Sequence, residues 1–123
     1  MKRTILIVGA SKNPSKYGHT ILDTLQKRGF EAVPINPNER EILGVKAYAS
    51  ISDFVKENPR NIIEWIDFVV PPEVTQKVLL EVKMLGLKNV WLQPGSESDS
   101  AIEFCKEKGI ICMHHKCIMK DYK

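Results

Sequence analysis

Short, uniformly apolar runs alternate along the chain with longer amphipathic stretches, and glycine or proline marks most of the changes. Thr4-Ile5-Leu6-Ile7-Val8 has the pattern of a buried strand. Gly9 ends it, and a polar loop runs to Gly18. Ile21, Leu22 and Leu25 then share one face of a helix predicted over about residues 18–28, which Gly29 terminates. Residues 31–35 form the second predicted strand; Pro37 biases Asn36 towards an extended backbone at its end. Residues 38–51 read as loop, with a short edge strand near 45–48. Ser50 or Ser52 would cap a helix from about Asp53 that stops before Pro59. The run 66–70, interrupted only by Asp67, is the next strand. Pro71-Pro72 closes it and opens a helix with Val74, Val78, Leu79, Val82 and Leu85 on its apolar stripe, ended by Gly86. Residues 90–93 form a strand before Pro94-Gly95. Ser96 or Ser98 then caps a helix to about Lys108, with Ala101, Ile102 and Cys105 facing inward. Gly109 precedes a last strand at 110–113, and the tail from His114 has no clear period.

Strands that alternate with helices, and that are apolar throughout rather than at every second residue, indicate a parallel sheet covered on both faces. The expectation is one three-layer α/β Rossmann-like domain over residues 1–123, with a mostly parallel sheet and right-handed crossovers. The predicted strand order is 3-2-1-4-5, with the last strand extending that edge. Ligands of such sheets bind beyond the carboxyl ends of the strands, where the order reverses. The loops at 9–18, 36–40 and 70–73 converge there, with Gln93-Pro94-Gly95 nearby.

Composition narrows the field. At 123 residues, 43% hydrophobic and 27% charged, the chain is one ordinary globular domain. Its formal net charge of +3 is scattered rather than gathered in a basic stripe, so a small anionic ligand is expected and a nucleic acid is not. Cys105, Cys112 and Cys117 are an odd set without a CxxC pair, which indicates neither a disulfide framework nor a zinc site. The first apolar run is too short to span a membrane and no cleavage signal follows it, so a cytoplasmic protein is expected.

The first strand, loop and helix start form a cradle for an anion, because a helix N-terminus presents unpaired N–H groups and about half a positive charge. The loop, GASKNPSKYG, is not the dinucleotide fingerprint GxGxxG, and Asn36-Pro37 stands where a ribose-binding carboxylate would be. The Walker pattern GxxxxGK[ST] is absent too. What is left is a phosphate loop with Ser11, Lys16 and backbone N–H groups as donors.

VGASKNPSKYGHTIL, then PINP, FVVPPE, VWLQPG and a late Cys117, taken together and in that order, resemble the small single-domain CoA-binding proteins. These are related to the CoA-binding domain of succinyl-CoA synthetase α chains and NDP-forming acyl-CoA synthetases. The resemblance covers almost the whole chain and implies coenzyme A, free or acylated, as a small-molecule ligand. It implies that Gly9, Ala10 and Ser11 approach the diphosphate, and that Lys16, Tyr17 and Gly18 complete that loop. Asn36 and Pro37 would wall the adenosine, and Arg40 would reach the ribose 3′-phosphate. The family more often has lysine directly after the Asn-Pro pair, whereas this chain has Asn38-Glu39-Arg40. Val70, Pro71 and Pro72 would form a rigid apolar ledge, and Gln93 and Gly95 would border the pantetheine arm.

The resemblance implies stand-alone binding without catalytic machinery, with room for a protein partner or a homo-oligomer. Two alternatives stand beside it: a CoA-dependent thiol–disulfide or acyl-transfer enzyme working through Cys117, and an NAD(P)-binding domain. His19 is expected to be solvated or to make a cap contact. His114 and His115, adjacent on a strand, would point to opposite faces and share no metal. Cys117 is expected to be packed and inert, and Trp65 and Trp91 to be core or rim aromatics.

Overall fold

A computed structural model describes residues 3–122. Met1, Lys2 and Lys123 lie outside the described residues. The elements in order are β1 (Thr4–Val8), α1 (Tyr17–Lys27), β2 (Glu31–Ile35), β3 (Glu41–Ile42), β4 (Val45–Lys46), α2 (Ile51–Glu57), β5 (Ile63–Phe68), α3 (Pro72–Met84), β6 (Asn89–Leu92), α4 (Asp99–Glu107), β7 (Ile111–Met113) and α5 (Ile118–Asp121).

Five strands make one parallel sheet in the order β2-β1-β5-β6-β7. Every strand of it thus lies where the predicted order puts it, and the predicted third strand is the exception. Residues 41–46 turn back on themselves as the antiparallel hairpin β3–β4, through Leu43 and Gly44 with φ of 49° and 76°. Two positive φ values in a two-residue turn match the right-handed twist of a hairpin. Only Tyr48 then touches the sheet edge, as a single parallel bridge to Ile35. Pro34 fits this edge. Its carbonyl faces outward and accepts from the Tyr48 N–H, so its missing N–H faces the same side, where no full strand needs a donor.

Alternation along β1 divides the molecule into layers. Leu6 and Val8 join Val33, Ile66, Phe68, Val90 and Leu92 against α2, α3 and α4. Ile5 and Ile7 join Ala32 and Trp91 against α1 and α5. Both cores are closely buried; Leu6, Ile7, Phe68 and Leu92 are fully so. At about 25 cal/mol per Å² of apolar area removed from water, this double core dominates the favourable side of folding. Trp65 and Trp91 pack edge-to-face with ring centroids 5.3 Å apart.

Several boundaries moved. The strand expected at 66–70 is β5, three residues earlier, and leaves Val69 and Val70 beyond the sheet's carboxyl edge. On α3 the buried positions are Thr75, Leu79 and Val82, so the helix is turned and Val74 stays at the surface. Ser50 caps α2 and Ser98 caps α4, each accepting from the backbone N–H three residues on. The tail folds as α5, with Ile118 fully buried against the α1 face of the sheet. Among the described residues no helix is long and apolar enough to cross a membrane.

Candidate functional site

Strand β1 ends at Gly9, whose φ of +100° favours glycine. A Cβ there would collide with the Val69 carbonyl oxygen and come within 2.7 Å of Val70 Cγ1. A Cβ on Gly18 would collide in turn with the Gly9 carbonyl oxygen. The two glycines therefore let α1 start directly against the turn that leaves β1. That is the close helix–strand packing a dinucleotide fold obtains from its own glycines, reached here with eight residues between them.

The loop between the glycines is ordered by its own polar groups. Asn13 N–H donates to Ser11 Oγ at 3.1 Å, and Ser15 N–H and Oγ both donate to Asn13 Oδ1 at 3.0 and 2.9 Å. Asn36 Nδ2 donates to the Ala10 carbonyl at 2.9 Å, which ties the end of β2 to the loop. His19 Nδ1 lies 2.9 Å from the Ser11 carbonyl, as a contact across the first turn. Lys16 is the N-cap of α1, yet no side chain caps the helix and no acidic residue lies in its first turn. The N-terminal dipole of α1 is consequently left for something else to satisfy.

Three clefts adjoin along the carboxyl edge of the sheet. The central one, about 430 Å³, is lined by Gly9, Ala10, Ser11, Lys16, Tyr17, Gly18 and Asn36, with Val69 and Val70 opposite. On one side lies an apolar recess of about 330 Å³, which shares Gly9, Asn36 and Val70 and is walled by Ile35, Pro37, Val74 and Val78. On the other side a trough of about 520 Å³ shares Tyr17, Val69 and Val70 and runs between Pro71-Pro72 and Pro94-Gly95-Ser96. Ser96 Oγ accepts from the Val70 N–H at 2.9 Å and so ties the two sides of the trough together.

Behind the central cleft lies a polar cluster. Tyr17 Oη and Cys117 Sγ are 2.8 Å apart in a hydrogen bond. Gln93 Nε2 donates to Cys117 Sγ at 3.3 Å, and Gln93 Oε1 accepts from Ile118 N–H at 2.9 Å. Partial burial and the bond to Cys117 push the Tyr17 hydroxyl up to about 12. Burial acts to raise the Cys117 thiol, but bonds from Tyr17, Gln93 and the N–H groups of Met119 and Lys120 outweigh it and bring the thiol below its usual range. Asp67 is fully buried beside them, and neither carboxylate oxygen has a partner. Burial, and then the Cys117 charge, drive its carboxyl well above the usual range, so it is held protonated.

Twelve of the fourteen predicted residues line the row of clefts: Gly9, Ala10, Ser11, Lys16, Tyr17, Gly18, Asn36 and Val70 in the central cleft, Pro37 in the recess, and Pro71, Pro72 and Gly95 in the trough. Gln93 does not: it is fully buried beneath the trough, holding Cys117 and α5. Arg40 is exposed at the start of the β3–β4 hairpin and lines none of the three clefts. The recess walls Val74 and Val78 were expected in the core; α3 is turned so that Val74 is exposed and Val78 only partly buried, which has no signal in the spacing. Asp67 was visible only as an interruption of an apolar run. The histidine pair departs from expectation. β7 ends at Met113, and His115 adopts a φ of +60°, which brings His114 and His115 Nδ1 to 2.6 Å instead of to opposite faces.

A sequence profile of the CoA binding domain matches residues 3–123. The chain is 31% identical over 120 residues to the α subunit of acetate–CoA ligase (ADP-forming) II of Pyrococcus furiosus, covering 96% of this chain and 25% of that subunit. It is 29% identical over 116 residues to the uncharacterised protein YneT of Bacillus subtilis, covering 94% of this chain and 82% of YneT. Among solved structures, a conserved hypothetical protein from Pyrococcus furiosus superposes with a TM-score of 0.88 at 44% identity, covering 97% of this chain and 98% of that one. The chain thus spans a quarter of the ligase subunit but nearly the full length of the small proteins.

Proposed function

The chain belongs to the CoA-binding domain family, and from that premise we propose that it is a cytoplasmic, stand-alone binder of coenzyme A or an acyl-CoA, with no chemistry of its own. The observation that carries this reading is the row of three clefts with an uncapped helix start at its centre. A CoA molecule has the same sequence of parts: a flat base, a diphosphate and a long, weakly polar arm.

The diphosphate lies at the start of α1, against the backbone of Gly9, Ala10 and Ser11, with Lys16 as a point charge. The adenosine enters the recess between Pro37 and Val70, where the walls are mostly apolar. The pantetheine arm follows the trough along Pro71-Pro72 and Gly95. Arg40 reaches the 3′-phosphate from outside the clefts. Absence of chemistry is supported by the placement of Cys117. It is 9% exposed, lies under Tyr17 and lines none of the three clefts, whereas a reacting thiolate needs access. The NAD(P) reading has no support in the loop, since Asn36 stands at the ribose position and its amide is spent on the Ala10 carbonyl.

The test is calorimetric titration of ligand-stripped protein with CoA, dephospho-CoA, NAD and NADP. CoA should bind tightly, and at least tenfold more tightly than dephospho-CoA, a difference of about 1.4 kcal/mol. Arg40→Ala should bring CoA down to the dephospho-CoA level. Binding of NAD or NADP with none of CoA would overturn the reading.

A further inference from the structure

Away from the row of clefts, Glu97, His114 and His115 bring one ligand atom each to within 4.8 Å of one another. Glu97 lies in the β6–α4 connection and the histidines in the β7–α5 connection, so two separate loops at the carboxyl edge of the sheet build the cluster. We propose that these three side chains form a binding site for a divalent transition-metal ion of the zinc, cobalt, nickel or copper class.

The backbone is arranged to put the histidines together. Consecutive residues of a continuing strand would face opposite ways. His115 instead takes φ of +60°, a left-handed conformation that non-glycine residues rarely adopt. The turn is fixed from three sides. His115 N–H donates to Glu97 Oε2 at 2.9 Å, Trp91 Nε1–H donates to the Lys116 carbonyl at 3.0 Å, and Cys117 N–H donates to Asp121 Oδ2 at 3.1 Å. The backbone that carries the two rings is therefore held by the fold.

The nitrogens are also closer than an ordinary hydrogen bond. His114 Nδ1 and His115 Nδ1 are 2.6 Å apart, against about 2.7 Å at the short end of the normal range. At most one proton fits between them. An ion in its place would sit about 2.0–2.1 Å from each nitrogen and open the pair to about 3 Å. A Glu97 carboxylate oxygen lies within 4.8 Å of a ring nitrogen of each histidine. It supplies the negative charge that two neutral imidazoles lack.

The ligand set selects the ion. Two imidazoles and a carboxylate suit zinc, cobalt, nickel or copper(II), whereas magnesium and calcium prefer oxygen alone. Cys112, although near Glu97, is not a fourth ligand. Its Sγ lies 4.0 Å from the Met113 carbonyl oxygen, and it is not among the side chains whose ligand atoms converge. Three protein ligands leave a coordination position open to water or to an incoming donor. Glu97 directly follows Ser96, whose hydroxyl bonds the Val70 N–H, so an ion here would brace one wall of the trough. The site nevertheless rests on its own residues, and its failure would leave the CoA reading untouched.

The experiment is a cobalt(II) titration of untagged protein, followed by visible absorption and repeated with zinc by calorimetry. The wild type should take up one equivalent and develop ligand-field bands, with no uptake of magnesium. Glu97→Gln, His114→Ala and His115→Gly should each weaken cobalt binding at least tenfold. His115→Gly also separates binding from folding: glycine adopts the left-handed turn without strain, so this variant should melt no lower than the metal-free wild type while losing the ion. A wild type without cobalt bands, or bands that survive in His115→Gly and Glu97→Gln, would overturn the proposal.

Discussion

At the scale of single residues, the site depends on what is missing from Gly9 and Gly18 more than on any side chain. Helix propensity alone says that alanine should improve α1 at Gly18 by about 1 kcal/mol, because glycine leaves backbone entropy to be lost. The structure argues the opposite sign, since the added Cβ would run into the Gly9 carbonyl oxygen, a backbone atom with little room to yield. Gly18→Ala should therefore destabilise the fold, by about 1–3 kcal/mol for an overpacked contact. It should also weaken CoA by more than the stability change alone explains, since the helix start is pushed off the loop. Urea unfolding and calorimetry on the same variant check both; a stabilised protein with unchanged affinity would mean that the two elements separate freely. The sequence marks both glycines as ends of one loop, because glycine at a strand end and at a helix start is a local signal. That one glycine sits on the other is a tertiary fact with no local trace. The same is true of His115, whose left-handed turn is held by Glu97 from another loop.

At the scale of elements, local chemistry decided most of the fold. The strands are legible because a parallel sheet buried on both faces needs continuous apolar runs. The helices are legible because glycine closes them, as Gly29 does after α1 with its φ of +89°. Serine caps were legible as a choice between two positions, and the structure divides the roles. Ser98 accepts from the Ala101 N–H at 3.1 Å and caps α4, whereas Ser96 spends its hydroxyl on the Val70 N–H across the trough. The two should respond differently to alanine. Ser98→Ala should cost about 1 kcal/mol of stability and leave CoA affinity alone. Ser96→Ala should loosen the trough wall and weaken CoA more than the same loss of stability accounts for. Thermal unfolding and CoA titration of the pair separate the roles, and equal effects on affinity would show that the bond to Val70 does not shape the trough. The illegible elements are those held by distant contacts. β3–β4 has two residues per strand, and α5 has four, too few for any period to register. Ile118 and Gln93 fasten α5, and the Tyr122 ring packs tilted on Phe30 and edge-on against Trp65 and Trp91, all from other parts of the chain.

At the scale of the whole molecule, the two apolar layers enclose a carboxyl group where water does not reach. Asp67 lies in β5 between Ile7 and Trp91, on the side of the sheet that carries α1 and α5. It is fully buried without a hydrogen-bond partner, and burial followed by the Cys117 charge raises its carboxyl well above the usual range. The folded protein therefore keeps a proton that the unfolded chain gives up near pH 3.9. Above that pH the folded state binds more protons than the unfolded one, so stability falls as pH rises, at up to about 1.4 kcal/mol per unit, until the folded carboxyl itself ionises. The contribution is thus fully present in acid and is lost as pH rises from the unfolded value towards the raised folded one, the reverse of an ordinary ion-paired aspartate. Asp67→Asn keeps the shape and removes the proton. Its stability advantage over the wild type should be small at pH 4 and should widen between pH 4 and pH 7 to about 1 kcal/mol or more. Taking the difference between the two proteins cancels the carboxylates and histidines they share. Urea unfolding at pH 4, 5.5 and 7 gives the three points. Parallel profiles would mean that Asp67 is ionised in the folded state, and that a cation or ordered water reaches it beneath Tyr17 and Cys117.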